Sequence, residues 1–219
     1  MDNTEILFLR HGESRGNVEK FMAGQIDIPL TEKGLLQAEA AADFLLGQNI
    51  DLIYSSDLIR AFETASAFSR KSGIPILASY NELREISVGD YEGLPFGEIV
   101  DRYDDCFAMY FTSSFGVYSF PNGESTEGAG QRFYRCVEKI ALSNPGKRIL
   151  VATHAAVIRS FWGIINNIPR GELGDSLPFA SNASVSRAVY NGTKFSAVSY
   201  SENEYLKDVG FIDYSKSRM

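Results

Sequence analysis

Ile6-Leu7-Phe8-Leu9-Arg10-His11-Gly12 is an apolar run that reads as a β-strand and ends on a guanidinium, an imidazole and a glycine. Ile149-Leu150-Val151-Ala152-Thr153-His154 has the same form and carries the other of the chain's two histidines. Open α/β sheets bind ligands just beyond the carboxyl ends of their strands. If these two strands are parallel neighbours, both imidazoles face one crevice. A single histidine in such a place is more often an ordinary, partly buried side chain with a satisfied hydrogen bond. A pair, each at a strand end and each with the partners described below, points to chemistry.

Along the rest of the chain, apolar runs alternate with amphipathic segments, the pattern of βα units. Residues 5–9 form the first expected strand. Thr31 is a candidate N-cap for a helix with Leu35, Leu36, Ala38, Ala42, Leu45 and Leu46 at near-helical spacing. A second strand is expected over 51–54. Ser55, Ser56 and Asp57 are cap candidates for a helix over 58–71, which Gly73 ends. Residues 74–77 form a short strand whose Pro75 places it at an edge. A helix over 125–143 precedes the strand ending at His154, and another follows through Val157, Phe161 and Ile164. Asn191-Gly192 joins two strands as a hairpin. The residues from about 205 onward read as a tail. The expected architecture is a three-layer α/β domain over residues 1–219, with a mostly parallel sheet and helices on both faces.

Residues 94–124 stand apart as an insertion. Phe96, Tyr103, Phe107, Tyr110, Phe111, Phe115, Tyr118 and Phe120 lie between core units without a strand of their own. The segment is either a helical excursion with its own small core or a lid over the crevice.

An apolar content of 44% can build a sizeable core, and a net charge of -7 without a Lys/Arg run excludes a nucleic-acid backbone as partner. Cys106 and Cys136 have no metal-ligand spacing and read as reduced thiols. No run is long enough for a membrane span, and the first residues lack the pattern of a signal peptide. The expectation is a cytoplasmic enzyme, with homodimer formation left open.

Arg10 beside His11 disfavours the imidazolium form, and a neutral imidazole is what a nucleophile needs. Gly12 would let a ligand approach the backbone. Asn17 could orient a phosphate oxygen. Arg60 lies in a first helical turn, where it opposes the dipole unless an anion sits between them. His154 precedes a helix start with free backbone N–H groups. In the acidic stretch 82–93 a carboxyl near a phosphate could donate a proton, but spacing alone does not choose among Glu82, Glu85 and Glu92. Cations beside both histidines would repel a metal, so no metal is expected, and a reaction carried by the histidines themselves requires no organic cofactor.

Leu9-Arg10-His11-Gly12-Glu13-Ser14 with Asn17 resembles the signature of the histidine phosphatase superfamily, the phosphoglycerate mutase-like group. The likeness continues through Phe21 to Leu30, Thr31, Gly34, Gln37-Ala38, Ser55 to Leu58 with Arg60, Leu83-Arg84-Glu85 with Gly89, Pro121 to Ser125, and Val151 to His154. The resemblance implies that His11 is the phosphorylated nucleophile and that Arg10, Arg60 and His154 hold the phosphoryl group. It implies Asn17, Gly24, Gln25 and Ala155 as substrate contacts, and it selects Glu85 as the proton donor. Ala155-Ala156 departs from the Gly-Gly common in relatives; Ala155 can still offer its N–H if its φ is negative.

These parts imply hydrolysis of a small phosphate ester through a phosphohistidine. The alternatives are a 2,3-bisphosphoglycerate-dependent phosphoglycerate mutase and a catalytically silent phosphate-binding module. Between residues 94 and 131 the sequence holds one base, Arg102, against Glu98, Asp101, Asp104, Asp105, Glu124 and Glu127. That balance favours an ester with an organic, less charged body over a polyanion. The stretch Gly89 to Gly93 is similar to phosphatase relatives, including α-ribazole phosphatases.

Overall fold

A strand with apolar side chains on both faces must be covered on both. The computed structural model of the chain describes residues 2–102 and 118–211. In it Thr4–Arg10 is β1, a central strand of a six-stranded sheet. The other strands are β2 (Leu52–Ser56), β3 (Ile76–Tyr80), β4 (Arg148–Thr153), β5 (Val185–Tyr190) and β6 (Phe195–Glu202), in the order β3-β2-β4-β1-β5-β6. β1 and β4 are parallel neighbours with Arg10 opposite Thr153, so the residues after them emerge side by side. β2 and β3 run the same way, and only β5 runs against the rest.

Helices cover both faces. They are α1 (Arg15–Glu19), α2 (Glu32–Leu46), α3 (Ile59–Ser72), α4 (Phe96–Arg102), α5 (Thr126–Ser143), α6 (Ala155–Ile165) and α7 (Leu173–Ser176). Leu7, Leu9, Ile53 and Leu150 pack in one core with Ala38, Ala41 and Leu45 of α2 and with Ala65 and Phe68 of α3. Ile6, Phe8 and Val151 belong to the opposite core with Phe133 and Val137 of α5 and Phe161 and Trp162 of α6. Phe8 lies 4.9 Å from the Phe161 ring and 5.4 Å, edge-on, from Trp162. Alternate residues of one strand thus anchor both layers. Among the described residues no helix is long and apolar enough to cross a membrane.

Thr31 caps α2 by accepting from the Gly34 N–H at 3.0 Å, Ser125 caps α5, and Gly73 ends α3 at φ +74. Other expectations need correction. β2 continues to Ser56, because Ser55 pairs with Ala152 and Ser56 with Tyr80. Ser55, Ser56 and Asp57 therefore do not cap α3. Its N-cap is Leu58, and the Ile59 N–H is satisfied by Asp27 Oδ1 at 2.6 Å, from a distant loop. β3 lies at the edge as expected but over Ile76–Tyr80, with Pro75 just outside it. The start of the expected tail is docked: Tyr205 stacks on Phe44 at 4.3 Å and Leu206 is buried. Of the insertion, residues 103–117, with Tyr103, Cys106, Phe107, Tyr110, Phe111 and Phe115, lie outside the described residues. Its flanks form no separate core, since Ile99, Tyr118 and Phe120 join the main one.

Candidate active site

The β1–β4 pairing extends one step past the strands, where the His11 N–H donates to the Thr153 carbonyl. The two imidazoles come together beyond it, with ring centroids 5.2 Å apart. His11 Nδ1 lies 2.7 Å from the Gly12 carbonyl, which can only accept. Nδ1 therefore carries the proton, and the lone pair is on Nε2. Burial and then the Arg60 and Arg10 charges hold the His11 pKa well below the ordinary imidazole value. His154 is lowered in the same way, by burial first and then by Arg60, His11 and Arg10. Its Nε2 lies 2.8 Å from Ser56 Oγ, and its buried Nδ1 has no hydrogen-bond partner among the described residues.

Gly12 serves packing: a Cβ there would lie 2.4 Å from the Gly34 carbonyl oxygen. The close approach it makes here is to the start of α2. Arg10 is buried and donates to the Ala180 carbonyl. Arg60 is buried in the first turn of α3 and donates to the carbonyls of Gly24 and Ile26, both at 2.8 Å. Burial lowers its pKa to about 10, against the opposing pull of Glu85, and leaves it a cation at neutral pH.

The helix start after His154 is not free. Glu85 accepts from the N–H groups of Ala156 and Val157 at 3.0 and 3.2 Å, and from Ile86. The helix dipole favours a carboxylate there. Ala155 is helical, without a positive φ, and its N–H has no protein acceptor among the described residues. Of the three carboxyl candidates, Glu85 is the one held at the helix start that follows His154. Glu92 accepts from the Gln25 N–H and borders Gly24, while Glu82 is exposed.

Gln25 and Asn17 are more committed than substrate contacts need be. Gln25 Nε2 donates to the Glu85 carbonyl at 3.0 Å. Asn17 Oδ1 accepts from Ser14 and from Asn182. Sequence reasoning missed Arg132, which grips Glu124 through two 2.7 Å contacts and donates to the carbonyls of Glu82, Arg84 and Glu85. It lies one residue past the acidic stretch 94–131. With Arg170 on Glu127, it neutralises two of that stretch's acids. Asn182 was missed as well. Among the described residues no group of three or more His, Cys, Asp and Glu is placed to hold a metal ion.

The model of the histidine phosphatase superfamily (branch 1) matches residues 6–203. The chain belongs to that superfamily. It is 30% identical to phosphoglycerate mutase-like protein 4 of Arabidopsis thaliana over 97% of this chain and 91% of the relative. It is 31% identical to a metal-independent phosphoserine phosphatase of the same plant over 95% and 86%. The solved structure of YhfR from Bacillus stearothermophilus superposes with a TM-score of 0.86 at 30% identity, covering 93% of this chain and 100% of that one. This histidine phosphatase is an enzyme, a phosphoric monoester hydrolase by type.

Proposed function

We propose that this histidine phosphatase hydrolyses a small phosphorylated metabolite through a phosphohistidine at His11. The observation that carries the reading is the His11 tautomer: Nδ1–H is spent on the Gly12 carbonyl, so Nε2 keeps its lone pair beside two buried guanidiniums and a second imidazole. Nε2 attacks phosphorus, the bond to the ester oxygen breaks, and Glu85, in its acid form, gives its own proton to that oxygen. Arg10, Arg60 and His154 stabilise charge on the equatorial oxygens, with Asn17 and the Ala155 N–H as further donors. Water then forms a bond to phosphorus, Glu85 takes its proton, and the P–N bond breaks.

Glu85 also has to leave the N–H groups of Ala156 and Val157, which an incoming phosphate oxygen can replace it on. Hydrolysis is favoured over mutase chemistry because Arg84 and Arg132, the cations flanking Glu85, are committed to Asp57 and Glu124. A substrate with several anionic groups would need them free. The phosphoserine phosphatase relative supports an ester with a small organic body.

The test is turnover of a panel of phosphorylated metabolites with labelled phosphate, quenched in acid and in base. Base-stable, acid-labile label on the protein, absent from His11→Ala, together with release of inorganic phosphate, is the expected result. Label that persists in His11→Ala sinks the reading. Transfer between the hydroxyls of phosphoglycerate that depends on 2,3-bisphosphoglycerate, with negligible hydrolysis, would make the chain a mutase. Binding without label would make it a phosphate-binding module.

A further inference from the structure

Asn182 is a buried polar side chain at the site that the chemistry above does not use. Its Nδ2 lies 3.1 Å from Asn17 Oδ1 and 3.3 Å from both the His11 and the Gly12 carbonyl oxygens. The orientation of both amides follows from a single backbone donor. The Ser14 N–H, 3.0 Å away, can only donate, so the Asn17 atom it meets is oxygen. That oxygen and the two carbonyls all accept, so the Asn182 atom facing them is nitrogen. The Gly12 carbonyl is thus held by His11 Nδ1–H on one side and by Asn182 on the other.

The local backbone is bent to deliver this contact. Ala183, next in sequence, is buried at φ +54, a conformation alanine rarely adopts, and its N–H donates to the His11 carbonyl at 3.1 Å. Among the described residues Asn182 Oδ1 is buried without a partner, an arrangement that a side chain kept for packing alone would avoid.

We infer that Asn182 is a positioning residue: it fixes the Gly12 carbonyl that holds His11 in its Nδ1–H tautomer, and it turns the Asn17 amide so that Nδ2 is the donor left for a phosphoryl oxygen. The inference rests on the phosphohistidine reading for its kinetic consequence, but its structural part can be read without turnover.

The experiment uses the chain's two histidines, which give only two imidazoles in a nitrogen-detected NMR spectrum. His11 in the native protein should show one tautomer, with the proton on Nδ1. In Asn182→Ala its nitrogen shifts should move toward a mixture of tautomers. kcat should fall roughly 10- to 100-fold, as for the loss of an outer-shell partner, with KM changing less. In an Asn17→Ala background the same substitution should cost less, because the part of its effect that runs through the Asn17 amide is already lost while the part through the Gly12 carbonyl remains. Asn182→Ser, which keeps a smaller donor, should shift the spectrum in the same direction and serves if the alanine variant does not fold. An unmoved His11 tautomer, or additive losses at positions 17 and 182, overturns the inference. If no hydrolysis is found at all, the phosphatase reading fails, and the tautomer measurement still decides the role of Asn182.

Discussion

Glu85 shows how one side chain is assembled from distant parts of the chain. Its carboxylate rests on the first N–H groups of α6, while Gln25 and Arg132 both donate to its carbonyl. Its backbone is fixed, and its side chain can exchange the helix start for a proton on the leaving oxygen. A poor leaving group needs that proton and a good one does not. Glu85→Gln should slow an alkyl phosphate by roughly 10²- to 10⁴-fold and a nitrophenyl ester much less. Equal losses on both would show that Glu85 only shapes the pocket. His11, Arg10, Arg60 and His154 were legible in the sequence because each stands at a strand end or helix start, positions with a chemical meaning of their own. Arg132 and Asn182 were not. Each acts on backbone groups far away in sequence, Asn182 on His11 across 171 positions, and no local pattern marks such a pairing.

Elements whose signals are local were legible too. The caps Thr31 and Ser125, the stop at Gly73, the edge position of β3 and the hairpin of β5 and β6 depend on a few neighbouring residues. The start of α3 does not. Ser55 and Ser56 look like caps, but ladder pairing on both sides claims them for β2. The cap then comes from Asp27, in the same loop whose Gly24 and Ile26 carbonyls hold Arg60. Removing it leaves a first-turn N–H unsatisfied beside a guanidinium that already opposes the dipole. Asp27→Ala should lower stability by about 1 kcal/mol, measured as a shift in the denaturation midpoint. It should also raise KM for small esters, because the loop that holds Arg60 loses its tie to α3. An unchanged midpoint would mean that water replaces the cap without loss.

The whole molecule should register its two histidines through its stability in acid. Both imidazoles are buried, and burial together with the arginine charges lowers both below the ordinary value of 6.5, which they regain on unfolding. Just below that pH the unfolded chain binds protons at His11 and His154 while the folded chain stays neutral there. The unfolded state then holds more protons, so stability rises with pH in this window and is lost as pH falls below about 6.5. Each histidine can contribute a slope of up to about 1.4 kcal/mol per pH unit. His11→Asn removes one of the two. Its stability, measured by urea denaturation between neutral and mildly acidic pH, should fall less steeply than that of the native chain. Carboxylates that titrate in the same range are common to both proteins and cancel in the difference. The buffer must be free of phosphate, since an anion bound between Arg10 and Arg60 would stabilise the folded state by mass action and favour a charged His11. Parallel curves would show that His11 takes up its proton over the same pH range in the folded and the unfolded chain. The argument that burial and the two arginines keep the nucleophile neutral would then have to be abandoned.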